Sequence, residues 1–259
     1  MSSQLLTERD GCVLCLTISD PATRNTLSAQ VLSAGIEALG SAEGDPQVRA
    51  VVLRGDGGNF CAGGNVRGLA ERRDAGRAAQ REMLEHLHQF VEALRVFPKP
   101  IVAAVEGAAA GAGFSLALAC DLLVAAEDAQ FTMSHARLGL SPDAGATWSL
   151  AQSLPRPMVQ RMLWLAEPAS SAQLQAAGLI GWVVPKGEAS AEALRVANRL
   201  AAMAPGALAS AKELVQLAAT SSLHQQLAAE RDHFVDNLFG DDGAEGLQAF
   251  FEKRAPRFL

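Results

Sequence analysis

Apolar positions along the chain follow two rhythms. Short continuous apolar runs alternate with longer stretches in which apolar residues recur every three or four positions. The first rhythm marks strands covered on both faces; the second marks helices with one covered face. Runs at 13–18, 49–54, 101–105, 122–126 and 179–184 predict strands. Leu27, Val31, Leu32, Ile36 and Leu39 predict a helix capped by Thr26 or Ser28. Met83, Leu87, Val91, Leu94 and Phe97 predict a second, which Pro98 and Pro100 stop. Between these two helices, the loop 55–65 holds five glycines in eleven residues. A polar helix or mobile segment follows it through Arg81. Further helices are expected at 147–153, 157–166 and 171–177, the last closed by Gly178. From 190 to about 238 the chain reads as Ala- and Leu-rich helix, broken at Pro205-Gly206, and a final helix covers 243–254. Strands alternate with helices up to residue 185 and only helices follow. That order predicts a layered α/β core over 1–190 and a helical region over 191–259.

The stretch 98–147 organises the rest. Strand 101–105 leads into Gly107, Gly111 and Gly113, then a helix at 112–119 and strand 122–126, the order of a parallel crossover unit. A glycine-rich turn before a helix presents backbone N–H groups where negative charge can develop. Gly111 is therefore a candidate donor, with close helix–strand packing as the alternative. Asp143, in Ser141-Pro142-Asp143-Ala144-Gly145, is the candidate group for moving a proton. An aspartate before a helix also serves as a turn former or an N-terminal charge.

Composition narrows the function classes. The net charge is −6 with no basic cluster, which argues against nucleic acid or an anionic membrane as the main partner. No apolar run reaches the roughly 18–20 residues of a membrane span. The opening segment MSSQLLTERDG lacks the basic and apolar regions of a secretory leader, so a soluble cytoplasmic protein is expected. Cys12 and Cys15 form a CxxC, but a spacing of three puts them on opposite faces of a strand, and no second CxxC exists. The cysteines read as free thiols, and no metal or redox cofactor is expected. Leu116 stands where a dinucleotide-binding turn would have its third glycine. Ser115 lacks the second glycine of a nucleophile elbow.

Many small motifs in order then carry a resemblance. They are Pro21, Asn25 and Leu27, the run 49–55, Phe60-Cys61-Ala62-Gly63-Gly64-Asn65, Pro98-Lys99-Pro100, Gly107 and Gly111. Asp121, Phe131, Leu138-Gly139-Leu140, Ala176-Ala177-Gly178-Leu179 and Phe251-Glu252-Lys253-Arg254 complete the set. Together they resemble the crotonase (enoyl-CoA hydratase/isomerase) superfamily over nearly the whole chain. The resemblance implies a crotonase-like fold of repeated ββα units with a helical C-terminal trimerisation region, and a homotrimer or dimer of trimers. It also implies an acyl-CoA thioester substrate, with CoA part of the substrate rather than a cofactor. Two backbone N–H groups would hold the thioester enolate, by position those of Ala62 and Gly111. For CoA it implies Arg24, Ala62, Lys253 and Phe250, the last two reaching a neighbouring subunit's ligand. A solvated charge and a packed aromatic are the plainer accounts of Lys253 and Phe250.

The departures matter as much. The two glutamates of family hydratases are replaced by Ser115 and His135. A serine without a base exchanges no proton near neutrality, so paired acid/base work on water is in doubt. Asp143 stands where several family isomerases carry their acid/base aspartate. Pro142-Asp143-Ala144-Gly145 and Trp148-Ser149-Leu150 most resemble the ring-1,2-epoxyphenylacetyl-CoA isomerase type. Ser115, His135 and Asn65 are expected at the substrate pocket, His135 as a hydrogen-bonded residue shaping it and Asn65 as a helix cap or a substrate contact. The reading is an acyl-CoA isomerase. The alternatives are a hydratase with an atypical site and a non-catalytic acyl-CoA-binding protein.

Overall fold

A computed structural model describes residues 3–258. Nine strands form among them: β1 (Gln4–Asp10), β2 (Val13–Ser19), β3 (Ala50–Gly55), β4 (Ile101–Val105), β5 (Ala108–Ala110), β6 (Leu122–Ala126), β7 (Gln130–Thr132), β8 (Ala169–Ser170) and β9 (Trp182–Val184). The larger sheet has the order β1-β2-β3-β4-β6-β9, parallel except for the β1–β2 hairpin. The smaller sheet has the order β5-β7-β8. Each of β4 and β6 lies in the large sheet and is followed at once by a strand of the small one, then by helix, which is the ββα repeat.

The period of two explains the layers. Val51, Leu53, Ile101, Ala103 and Val105 face the main core with α1 (Ala29–Glu43), α3 (Arg77–Val96) and α4 (Ala112–Ala119). The α2 helix (Val66–Ala75) precedes α3 and has no buried residue. The alternate residues Ala50, Val52, Val102, Ala104 and Val124 face the other way, against Ala189, Ala193, Val196 and Ala197 of α8 (Ala189–Ala201). The first helix of the C-terminal region thus covers the back of the sheet. Along the chain α5 (Ala146–Ser153) and α6 (Arg156–Trp164) lie between β7 and β8, and α7 (Ser171–Ala176) lies between β8 and β9. After α8 come α9 (Pro205–Ala218), α10 (Leu223–Phe239) and α11 (Asp241–Glu252). Among the described residues, no helix is long and apolar enough to cross a membrane.

Several elements differ from the sequence expectation. A three-residue strand, β5, lies where a direct glycine turn was expected, and it seeds the second sheet. The α3 helix begins at Arg77 rather than at 83; its first turns bury no residue, so they carry no apolar stripe to mark them in the sequence. Pro205 starts α9, and a second break before α10 carries a capping box of Ser222 and Gln225.

Candidate active site

Asn25 builds the first wall of the site. It is fully buried at φ 60°, a left-handed conformation that asparagine tolerates. Its Nδ2–H group donates to the carbonyls of Asp56 and Asn59, both at 2.8 Å, and its Oδ1 accepts from Asp20 N–H at 2.9 Å. These bonds tie the loop after β2 to the glycine loop after β3. Asn25 is among the residues that carry the family resemblance, but its part in joining the two loops has no signal in the sequence.

The small sheet builds the second wall. Cys61 bridges to Ala109: its N–H donates to Ala108 O at 3.0 Å and its carbonyl accepts from Ala110 N–H at 2.9 Å. Glycines stand where the segments press together. A Cβ on Gly63 would lie 2.5 Å from Ala110 O and 3.1 Å from Ala112 N, and one on Gly113 would lie 2.3 Å from Cys61 O. The 62–64 loop therefore lies directly against the N-terminus of α4.

This pairing corrects the expected oxyanion donors. Ala62 N–H already donates to Arg24 O at 2.9 Å, and Gly111 N–H to Thr132 O at 2.9 Å. Neither is free to receive a thioester oxygen. Gly111 instead turns the chain, at φ 51° and ψ −126°, from β5 into α4. The N–H groups of Ala112, Gly113 and Phe114 then precede the first bond of the helix, Ser115 N–H to Gly111 O. On the facing loop, Leu27 N–H bonds to Gly63 O at 2.8 Å, and the N–H of Gly64 meets no acceptor among the described residues. Gly64 is exposed, with nothing within 4 Å of its Cβ position. Gly64 and Ala112 are the neighbouring donors that remain open.

Four predicted residues do converge. A Cβ on Gly111 would lie 3.5 Å from His135 Cε1. Nε2 of His135 is 3.2 Å from Oδ1 of Asp143. The Ser115 hydroxyl is fully buried, with the carbonyls of Gly111 and Asp143 each at 3.3 Å. A hydroxyl between two carbonyls donates; it has no base to make it a nucleophile. The chain leaves Asp143 through Ala144 and Gly145 at φ 51° and 75°, and Ala146 N–H returns to Asp143 O at 3.1 Å.

Other predicted residues lie elsewhere. Asn65 caps α2, its Oδ1 accepting from the N–H groups of Arg67 and Gly68 at 3.0 and 3.4 Å. Arg24 is exposed beside Ala62. Lys253 and Phe250 sit at the exposed end of α11, which packs on α10; no hydrogen bond or ion pair joins them to Asp143 among the described residues. The Cys61 thiol, next to the glycine loop, is pushed up to about 12 by burial. It is an inert packing group rather than a nucleophile. Cys12 is exposed in the turn between β1 and β2, outside the strand, and Cys15 is buried in β2. Among the described residues no three His, Cys, Asp or Glu side chains gather as metal ligands.

Residues 8–259 match the family described as enoyl-CoA hydratase/isomerase. The chain belongs to the enoyl-CoA hydratase/isomerase family. The 2,3-dehydroadipyl-CoA hydratase of Escherichia coli K12 is 34% identical over 99% of this chain and 98% of its own. The 1,2-epoxyphenylacetyl-CoA isomerase of the same organism is 33% identical over 100% and 99%. A crystal structure of an enoyl-CoA hydratase from Polaromonas sp. JS666 superposes with a TM-score of 0.97 at 49% identity, covering 99% of this chain and 100% of that one. The fold is thus the crotonase fold, and the family acts on acyl-CoA. The similar proteins include hydratases, among them the 49% identical structure, and an isomerase at 33%, so similarity gives the family and not the choice of reaction.

Proposed function

We propose that the protein is an acyl-CoA isomerase in which Asp143 moves one proton and two backbone N–H groups hold the thioester enolate. The observation that carries this is the pairing of His135 with Asp143 at 3.2 Å. Addition of water needs two proton-exchanging groups that both face the water. Here Nε2 of His135 is engaged by Oδ1, the glutamate position on α4 is Ser115, and Oδ2 of Asp143 is the oxygen left open. One carboxylate suffices to move a double bond. Oδ2 takes the proton from the carbon next to the thioester of a 3-enoyl-CoA, the electron pair moves onto the thioester oxygen, and the same oxygen returns the proton at the far end of the dienolate. The Gly64 and Ala112 N–H groups would stabilise that oxygen, each worth about 10²–10³ in rate.

CoA is bound as part of the substrate. Arg24 and Ala62, joined through main chain, would meet its polar end, with Phe250 and Lys253 supplied by a neighbouring subunit. Phe234, Phe239, Phe250 and Phe251 of α10 and α11 are each at least 69% exposed, an apolar surface that a homotrimer, or a dimer of trimers, would cover. A hydratase is the second reading, favoured by the similarity to 2,3-dehydroadipyl-CoA hydratase.

The test gives wild type and Asp143→Asn 3-enoyl-CoA and 2-enoyl-CoA in heavy water. Wild type should shift the bond with label exchange and no gain of water, and the variant should lose about 10²–10⁴ in rate. Gain of water on 2-enoyl-CoA with an active Asp143→Asn would overturn the isomerase and make His135 the base to examine.

A further inference from the structure

We propose that His135 is the positioning residue for Asp143, pinning Oδ1 through an Nε2–H donor so that Oδ2 alone carries the proton. The inference rests on Asp143 as the proton carrier and adds the group that aims it. Two neutral tautomers of the ring are available. With the proton on Nδ1, the Nε2 lone pair would face Oδ1 at 3.2 Å, and two acceptors would oppose each other. That tautomer would also put an N–H in dry protein, because Nδ1 is buried and has no partner among the described residues. A buried donor without an acceptor is the costlier orphan, while an unpaired lone pair is tolerated more often. Both counts assign the proton to Nε2.

The surrounding residues fix the pair further. The ring lies over Gly111, where a Cβ would come 3.5 Å from Cε1. Ser115 Oγ is 3.3 Å from the Asp143 carbonyl, so the main chain is fixed from one side and the side chain from the other. Ala144 is held at φ 51°, and its burial leaves this strained turn little room to relax. His135 is 11% exposed and Asp143 27%, so the carboxylate is the more accessible of the two. In this proposal it acts on the substrate through Asp143.

Two measurements test this on the full-length protein. The first is nitrogen NMR of the imidazoles in ¹⁵N-labelled wild type, the His135 signal being assigned by its loss in His135→Gln. A protonated Nε2 and an unprotonated Nδ1 are expected; a protonated Nδ1 overturns the proposal without reference to activity. The second compares His135→Gln, which keeps an N–H near the place of Nε2, with His135→Leu, which keeps bulk and has no donor. Leucine should lower kcat about 10²-fold with KM within twofold, the scale of a misplaced reacting group, and glutamine should recover at least tenfold of that. Equal losses in the two variants, or none in leucine, overturn it. An active Asp143→Asn would sink the isomerase reading instead, while the tautomer measured in wild type would stand.

Discussion

Gly113→Ala sets two known effects against each other. Gly113 lies in the first turn of α4, where alanine is the better helix former by about 1 kcal/mol. The added Cβ would lie 2.3 Å from Cys61 O and 2.8 Å from Cys61 C and Cβ. Cys61 cannot step aside cheaply, since its N–H and carbonyl are both committed to β5 at 3.0 and 2.9 Å. Overpacking a tight core costs about 1–3 kcal/mol, and loosening a buried backbone bond about 1–3 more. The clash should win, with a net loss of about 2–4 kcal/mol and a Tm lower by about 5–10 °C. Thermal unfolding of the variant measures this directly. Gly40→Ala is the control, an exposed glycine of α1 with nothing within 4 Å of its Cβ position, expected to gain up to about 1 kcal/mol. Turnover below the Tm should also fall in Gly113→Ala, because Cys61 leads directly into Gly63 and Gly64. A Gly113→Ala protein as stable as Gly40→Ala would refute the packing argument and the close approach of loop and helix on which the site depends.

Replacing Gly64 separates its N–H from its size. Gly64→Ala should keep activity, since its Cβ position is open, whereas Gly64→Pro removes the donor and should lower kcat about 10²–10³-fold with a KM shift of less than threefold. Comparable kinetics for the two would remove Gly64 from the oxyanion site. At the other end of the chain, the Arg254 and Arg257 contacts hold the Glu245 carboxylate down at about 2, against an ordinary 4.5. A lowered folded value means that the attachment of the tail to α11 is complete above pH 4.5 and fades as pH falls toward 2. Hydrogen exchange at residues 254–258 should rise over that interval, and an unchanged tail at pH 2 would show that Glu245 does not hold it.

What could be read in the sequence follows what burial does to composition. The strands β2, β3, β4 and β6 are covered on both faces, so they appear as unbroken apolar runs. The edge strand β1 is mostly exposed and carries Glu8, Arg9 and Asp10, so it offers no such run. The strands β5, β7 and β8 have three, three and two residues, too few for any period. The site divides the same way. Asp143, His135 and Ser115 could be nominated because their side chains differ chemically from their surroundings. The oxyanion donors could not, because every residue but proline has an N–H and only strand pairing decides which are consumed. Gly111 N–H is consumed because the β5–β7 ladder continues one residue beyond Ala110 to Thr132 O, a fact invisible in a stretch of alanines and glycines.

That same ladder explains why the chemistry sits where it does. The bond from Gly111 N–H to Thr132 O fixes the end of β7, and three residues later the 3₁₀ turn at His135–Leu138 begins. The ladder therefore sets the position of the His135 ring over Gly111, and His135 in turn meets Asp143. On its other side, Gly111 starts α4 and presents the Ala112 N–H. One glycine at a positive φ thus joins the two halves of the proposed site, the Ala112 N–H and the His135–Asp143 pair. A shift in either the β5–β7 register or the α4 start would move both together, so in the proposed isomerase the enolate donor and the proton-moving carboxylate share one backbone reference. On that reading backbone pairing, rather than the side chains that would meet the acyl group, holds the catalytic geometry.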